Sequence, residues 1–165
     1  MSRVLPTLQR QAAALASGRT QRELLAGVPV PRTFDDALRS ADLFPLRATG
    51  IEILQINVGK RCNQTCRHCH VDAGPDRKEV MSREVMEATL SFLSRARIPT
   101  VDITGGAPEL HPDFRELVTR SRATGAHVMH RCNLTAILLP NYSDIPELLA
   151  AHHVEIIASL PYYQA

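Results

Sequence analysis

Three of the chain's four cysteines fall within one short run, Cys62-Asn63-Gln64-Thr65-Cys66-Arg67-His68-Cys69. Thiolates gathered this closely bind soft metals. A secreted disulfide framework would spread its cysteines along the chain, so the clustering points to metal ligation in a reducing compartment, the cytoplasm. Two metal chemistries suit the spacing. A [4Fe–4S] cube that only carries electrons takes four protein thiolates. Cys62, Cys66 and Cys69 supply three and leave one iron open to a small molecule, which is the condition for chemistry rather than electron storage. The alternative is a zinc site of the Cys₃His type, completed by His68 or His70 and serving a structural or binding module. Zinc motifs commonly come as two paired knuckles, and here there is no second pair because Cys132 stands alone.

Other polar residues sit where a βα fold places its sites, at the ends of strands. Gly105-Gly106 ends one strand, and on its own it reads equally as a tight turn. Asn133 and Ser159 end two others, where polar residues either face a site or cap a loop. Cys132 is either a soft ligand facing the cavity or a buried small hydrophobe. His70 and Asp72 follow the cysteine run and suit the site or a solvated loop alike. His152 and His153 flank a helix end, where cations suit the dipole, and read as structural.

The elements that must position these groups begin at residue 51. Ile51–Val58 reads as a strand, apolar with polar breaks at Glu52, Gln55 and Asn57. Ser82 caps a helix whose apolar stripe is Val85, Met86, Leu90, Leu93 and Ala96. Thr100–Thr104 is the second strand. Pro112 in a first turn, then Phe114, Leu117 and Val118, mark a second helix closed by Gly125. Ala126–Cys132, Asp144–Ala151 and Val154–Leu160 follow as strand, helix and strand, and Pro161 stops the last. Strand–helix alternation of this kind implies parallel strands with right-handed crossovers. A closed barrel of eight such units takes about 250 residues. The expected fold is therefore α/β, a partial, half TIM-type barrel of about four βα units. Such a half-barrel exposes two parallel edges, so either further sequence or a second chain is expected to complete it.

Residues 1–50 read as a helical N-terminal extension before the core at 51–165. A helix is expected over Leu8–Ala16, with a break at Gly27-Val28-Pro29-Val30-Pro31, where prolines remove amide donors. Thr33 then caps a short helix to Ser40. Residues 1–22 carry Arg3, Arg10, Arg19 and Arg22 and no acid, a pattern that transit peptides share with short cytosolic helices. The bulk numbers describe an ordinary globular chain, with 44% hydrophobic and 22% charged residues. Aromatics are only 4% and tryptophan is absent, so the core must rest on Leu, Ile, Val and Ala. A formal charge of +2 is too small for a nucleic-acid or membrane footprint. No apolar run approaches the roughly 20 residues of a membrane-spanning helix.

The spacing CxxxCxxC after a first strand, with His68 before the last cysteine, resembles the radical S-adenosylmethionine superfamily. Five runs resemble its arsenosugar-biosynthesis members more closely: Leu54–Asn57, Cys66–Pro75, Thr104–Glu109, Arg131–Thr135 and Ala158–Pro161. The resemblance covers most of the chain from Ile51 onward. One departure from the common superfamily turn is Ala107, where Glu usually follows the glycines. The resemblance implies a [4Fe–4S] cluster on Cys62, Cys66 and Cys69, and S-adenosylmethionine held near His68, Gly105, Gly106, Asn133 and Ser159. Glycine there would let backbone carbonyls approach the cofactor's amino group. It further implies a low-potential electron donor, reductive cleavage to a 5′-deoxyadenosyl radical, and a small-molecule substrate, a methylated arsenical. A chain of this length that holds the cluster without turning over is the remaining alternative.

Overall fold

The computed structural model describes residues 11–159. Two short helices come first, α1 (Gly18–Ala26) and α2 (Phe34–Ser40), and neither buries a residue. The core is β1 (Ile53–Asn57), α3 (Arg83–Ala96), β2 (Thr100–Thr104), α4 (Phe114–Ala123), β3 (His127–Cys132), α5 (Ile145–Ala151) and β4 (Glu155–Ala158). The four strands form one sheet in the order β1-β2-β3-β4, and every pairing is parallel. Strands that neighbour in sequence also neighbour in space, each joined through a helix, as in a segment of a (βα) barrel.

The expected order of elements is present, with strand ends trimmed by one or two residues. Hydroxyl caps define the helix starts. Ser82 Oγ accepts the Val85 amide at 3.3 Å, and Thr33 Oγ1 accepts that of Asp36 at 3.2 Å. Over its described residues, 11–16, the helix expected at Leu8–Ala16 does not form. Among the described residues of that stretch the chain turns and then makes a 3₁₀ turn at Ala14–Ala16. The α-helix begins only at Gly18, where Ser17 Oγ accepts the Thr20 amide at 3.4 Å. Residues 8–10 lie outside the described residues, as do Leu160 and Pro161. On α3 the buried stripe is Met86, Leu90 and Leu93. Val85 is half exposed and Ala96 exposed, because a 3.6-residue period turns their positions off the face that Met86 and Leu93 define.

One face of the sheet carries the core. Ile56, Val101, Ile103 and Val128 pack against Met86, Leu90, Leu93, Phe114, Leu117 and Leu149 from the helices. Phe114, Val101 and Leu117 are fully buried, each worth about 1.5–3 kcal/mol relative to exposure. Strand residues of opposite parity turn to the other face, the inside of a barrel. There Gln55 Nε2 donates to Asp102 Oδ2 at 2.8 Å, and Arg131 Nη2 donates to the same oxygen at 2.9 Å. This polar ladder joins β1, β2 and β3 at the floor of the site. Among the described residues, no helix is long and apolar enough to cross a membrane.

Candidate functional site

Parallel strands deliver their C-terminal ends to a single rim. The segments after β1, β2, β3 and β4 therefore meet there: the cysteine loop, the Gly105-Gly106 turn, the Asn133 turn and Ser159. The cysteine loop is stitched to its neighbours by backbone bonds. Gly106 N donates to Gly59 O and Ala107 N to Arg61 O, both at 2.9 Å. Cys62 N reaches Gly74 O at 3.2 Å, and Gly74 N returns to Lys60 O at 3.0 Å. The glycine pair is required by this stitching itself. A Cβ on Gly106 would lie 2.4 Å from Arg61 O, and one on Gly105, whose φ is 155°, would lie 2.9 Å from Gly59 O. The close approach is thus to the cysteine loop's own carbonyls, a reason for the glycines that holds with or without a ligand.

Cys62, Cys66 and Cys69 line one cavity of about 210 Å³ at this rim. His68, Gly105, Gly106, Asn133 and Ser159 line the same cavity, so the three cysteines and the five residues that the resemblance places at the cofactor come together. Cys62 is buried, and Cys66 and Cys69 are half-buried. Backbone amides already point at two of the sulfurs: Gln64 N to Cys62 Sγ at 3.4 Å and Ala73 N to Cys69 Sγ at 3.3 Å. Without metal, burial pushes the Cys62 thiol up, as does the charge of Cys69 against it, although the Gln64 amide pulls the other way. Burial likewise pushes the Cys66 thiol up, followed by the charges of Cys62 and Cys69. Three clustered cysteine sulfurs, two of them facing backbone amides, with a cavity in front of them are a donor set that suits a soft, positively charged metal centre, whose binding must displace protons.

Asn133 is more fully occupied than its place at a strand end suggests. Its Oδ1 accepts the amides of Thr135 at 2.9 Å and Ala136 at 3.1 Å, capping the turn after β3. Its Nδ2 donates to Asn63 Oδ1 at 3.0 Å and approaches Cys62 Sγ at 3.6 Å. Asn63 Nδ2 in turn donates to Thr135 Oγ1 at 2.7 Å. The Asn63–Asn133–Thr135 network is absent from a reading of motifs alone. Ser159 is exposed, and its amide donates to Cys132 O at 2.8 Å. His68 and His70 are exposed on the cavity wall, and Arg131 lines its floor. Asp72 is buried rather than solvated, and it pairs with Arg77, whose Nε also donates to Asp72 O at 2.8 Å. Cys132 is buried, turned away from the cavity toward Glu109 and His130. His152 caps α5 and meets Thr119 Oγ1 at 3.2 Å, a structural role.

A parallel βα sheet with a three-cysteine loop after its first strand and a glycine-pair turn after its second defines a class. The family model described as Radical SAM superfamily matches residues 56–158, more than half of the chain, and the protein belongs to that superfamily. Members of the superfamily use a [4Fe–4S] cluster and S-adenosylmethionine. The chain is 35% identical over 69 residues to the probable GTP 3′,8-cyclase of Pyrococcus abyssi, covering 42% of this chain and 22% of that protein. It is 32% identical over 103 residues to the pre-heme d1 synthase of Dinoroseobacter shibae, covering 62% and 26%. The chain thus spans about a quarter of the length of the curated relatives it matches. Among solved structures, SuiB of Streptococcus suis superposes with a TM-score of 0.55 at 18% identity, covering 93% of this chain and 36% of SuiB. SuiB bound to S-adenosylmethionine superposes at 0.56 with 17% identity, again covering 93% of this chain and 36% of that one. These likenesses establish the fold, a partial radical SAM barrel.

Proposed function

We propose that this chain supplies the cofactor-binding half of a radical SAM enzyme, with Cys62, Cys66 and Cys69 holding a [4Fe–4S] cluster that has one open iron. The observation that carries the reading is the convergence of these thiols with Gly105, Gly106, Asn133 and Ser159 on a single cavity at the C-terminal rim of the sheet. When bound and reduced, the cluster supplies the electron that breaks the sulfonium C–S bond of S-adenosylmethionine, giving methionine and a 5′-deoxyadenosyl radical. The chain's own residues place the reactants. The Gly105-Gly106 turn would hold the methionine end of the cofactor through its backbone. Asn133 fixes the loop that carries Cys62, and His68 and Ser159 line the same cavity. Arg131 lines the cavity and is held by Asp102, which also accepts from Gln55.

The finer reading concerns the radical's fate: addition to a methylated arsenic(III) compound to form a C–As bond in arsenosugar biosynthesis. Its support is the set of runs around the cysteines, the glycine turn and the Arg131–Thr135 segment. Cys132 is buried away from the cavity, so the arsenic would be met by other groups. A low-potential donor would deliver the electron, in the reducing cytoplasm that free clustered thiols suit. The exposed β1 and β4 edges, with Ile53 and Ile156 half exposed, are the seams along which further strands, from this chain's continuation or a second chain, would complete the barrel.

The test is anaerobic reconstitution with iron and sulfide, followed by dithionite and S-adenosylmethionine. Equimolar 5′-deoxyadenosine and methionine, both lost in Cys66→Ala, support the proposal. A colourless protein holding zinc on the same cysteines refutes it. A brown protein whose EPR signal ignores added S-adenosylmethionine refutes the open iron.

A further inference from the structure

Beneath the cavity lies a second group of donors that the reading above does not use. Glu109 and His130 are fully buried and Cys132 is 1% exposed. Their ligand atoms lie within 4.8 Å of one another. They come from separate segments that the fold brings together. His130 and Cys132 alternate on β3 and so share the face turned toward the helices. Glu109 descends from the 3₁₀ turn Pro108–Leu110 that follows the glycine pair. Phe114 packs against the His130 ring with centroids 4.9 Å apart, fixing its plane.

The hydrogen bonding of this group is incomplete. Glu109 Oε1 meets His130 Nε2 at 2.8 Å and the Cys132 thiol also hydrogen-bonds to the Glu109 carboxylate, but His130 Nδ1 has no hydrogen-bond partner among the described residues. A buried polar atom left unsatisfied is costly, so the bare His130 Nδ1 calls for an explanation. The sulfur is also prepared. Leu134, at φ 61°, turns its amide onto Cys132 Sγ at 3.2 Å, as Gln64 does for Cys62. An amide aimed at sulfur stabilises thiolate over thiol. With no metal bound, burial, then the hydrogen bond to Glu109 and the charge of its carboxylate, push the Cys132 thiol up to about 12, so it stays protonated there.

We propose that Glu109, His130 and Cys132 form a second metal site, separate from the cysteine loop, that binds one zinc-class divalent cation. The charges balance: a carboxylate, a neutral imidazole and a thiolate neutralise a dication, the favourable arrangement in a buried setting. One carboxylate oxygen, one ring nitrogen and one sulfur are the ligand types that zinc takes, and the second carboxylate oxygen offers a fourth bond. His130 Nε2 then shares the cation with Glu109 instead of hydrogen-bonding to it, and binding releases the proton from Cys132. The ion would tie the glycine-pair turn to β3 and so stiffen the wall behind Cys62.

The experiment uses the full chain grown with zinc, reconstituted anaerobically with iron and sulfide, and analysed for both metals per chain. One zinc beside the cluster's iron is expected. Cys132→Ser and His130→Gln should each lose the zinc tenfold or more while iron is retained. Cobalt grown into the site in place of zinc should show a thiolate-to-cobalt charge-transfer band in the wild type, absent from Cys132→Ser. The wild-type cobalt spectrum needs no variant to fold. No zinc and no such band in wild-type protein would overturn the proposal. So would zinc that survives in both variants, or zinc that disappears only when Cys62, Cys66 and Cys69 are replaced. The cluster is read separately by iron content and 5′-deoxyadenosine, so failure here leaves the radical SAM reading standing.

Discussion

Asn133, directly after β3, points its side-chain amide at the Sγ of Cys62, 3.6 Å away. The same side chain caps its own turn through Oδ1. One residue thereby links the third strand's exit to the first cysteine of the loop. Hydrogen bonds to a ligating sulfur tune metal affinity and raise reduction potential. Asn133→Leu removes both the cap and the donor. Iron retained after gel filtration should fall, in the range of about 10–100-fold in affinity for outer-shell losses. The reduction potential of the remaining cluster should move negative. A variant with wild-type iron content and potential would show that the contact carries nothing.

Gly106→Ala tests whether the glycine pair serves the loop or only a ligand. The added methyl would sit 2.4 Å from Arg61 O, against backbone that cannot swing aside as a flexible side chain would. The 2.9 Å bond from Ala107 N to Arg61 O must open. Overpacking of this kind costs about 1–3 kcal/mol. Urea unfolding of the metal-free chain should register that loss with no cofactor present. If only S-adenosylmethionine binding suffers, the glycines serve the ligand alone.

Arg77 anchors the far end of the cysteine loop by its ion pair with buried Asp72, which adopts a φ of 54°. Removing the guanidinium weakens the compensation of a buried carboxylate and takes away two bonds that hold this turn. Arg77→Ala should therefore loosen residues 66–77. Limited proteolysis should cut this segment faster in the variant, and cluster yield should drop while the sheet's far-ultraviolet signal is unchanged. Equal cutting rates would remove the anchor's claimed role.

The sequence displayed the frame of this fold more readily than its interior wiring. Period and punctuation located every strand and core helix, because Ser82, Gly125 and the apolar runs report local rules. The cysteine loop was legible for the same reason, since three thiols at fixed spacing act as one unit. The Asn63–Asn133–Thr135 network, by contrast, joins residues about seventy positions apart. Such pairing depends on strand order and register, which no local pattern encodes. Polar residues within otherwise apolar strands were the available signal: Asp102 and Arg131 for the floor, His130 for the buried cluster. Over its described residues, 11–16, the helix expected at Leu8–Ala16 gives way to a 3₁₀ turn, because the Ser17 cap directly after it sets where the α-helix starts.

Asp102 makes the floor of the site sensitive to acid. Burial pushes its carboxyl up, but the Arg131 guanidinium and the Gln55 amide outweigh that, and the result lies below the ordinary carboxylate range. The unfolded chain returns Asp102 to about 3.9. A folded value below the unfolded one means that the native state holds the charged form more tightly. The pair's contribution is therefore complete above about pH 4 and is lost as pH falls through the lower folded value. Arg131 is 44% exposed, so solvent screens the pair, and the contribution at neutral pH is expected at about 1–2 kcal/mol rather than the larger loss of a fully buried pair. Asp102→Asn keeps the shape and an acceptor for Arg131 but removes the charge. Urea unfolding from pH 7 down to pH 3 should show the wild type more stable at neutral pH, with the gap closing only toward the acid end. A gap that is constant across this range would mean that Asp102 acts by packing and hydrogen bonding alone. A gap that widens on acidification would mean that its carboxyl is held neutral in the folded chain.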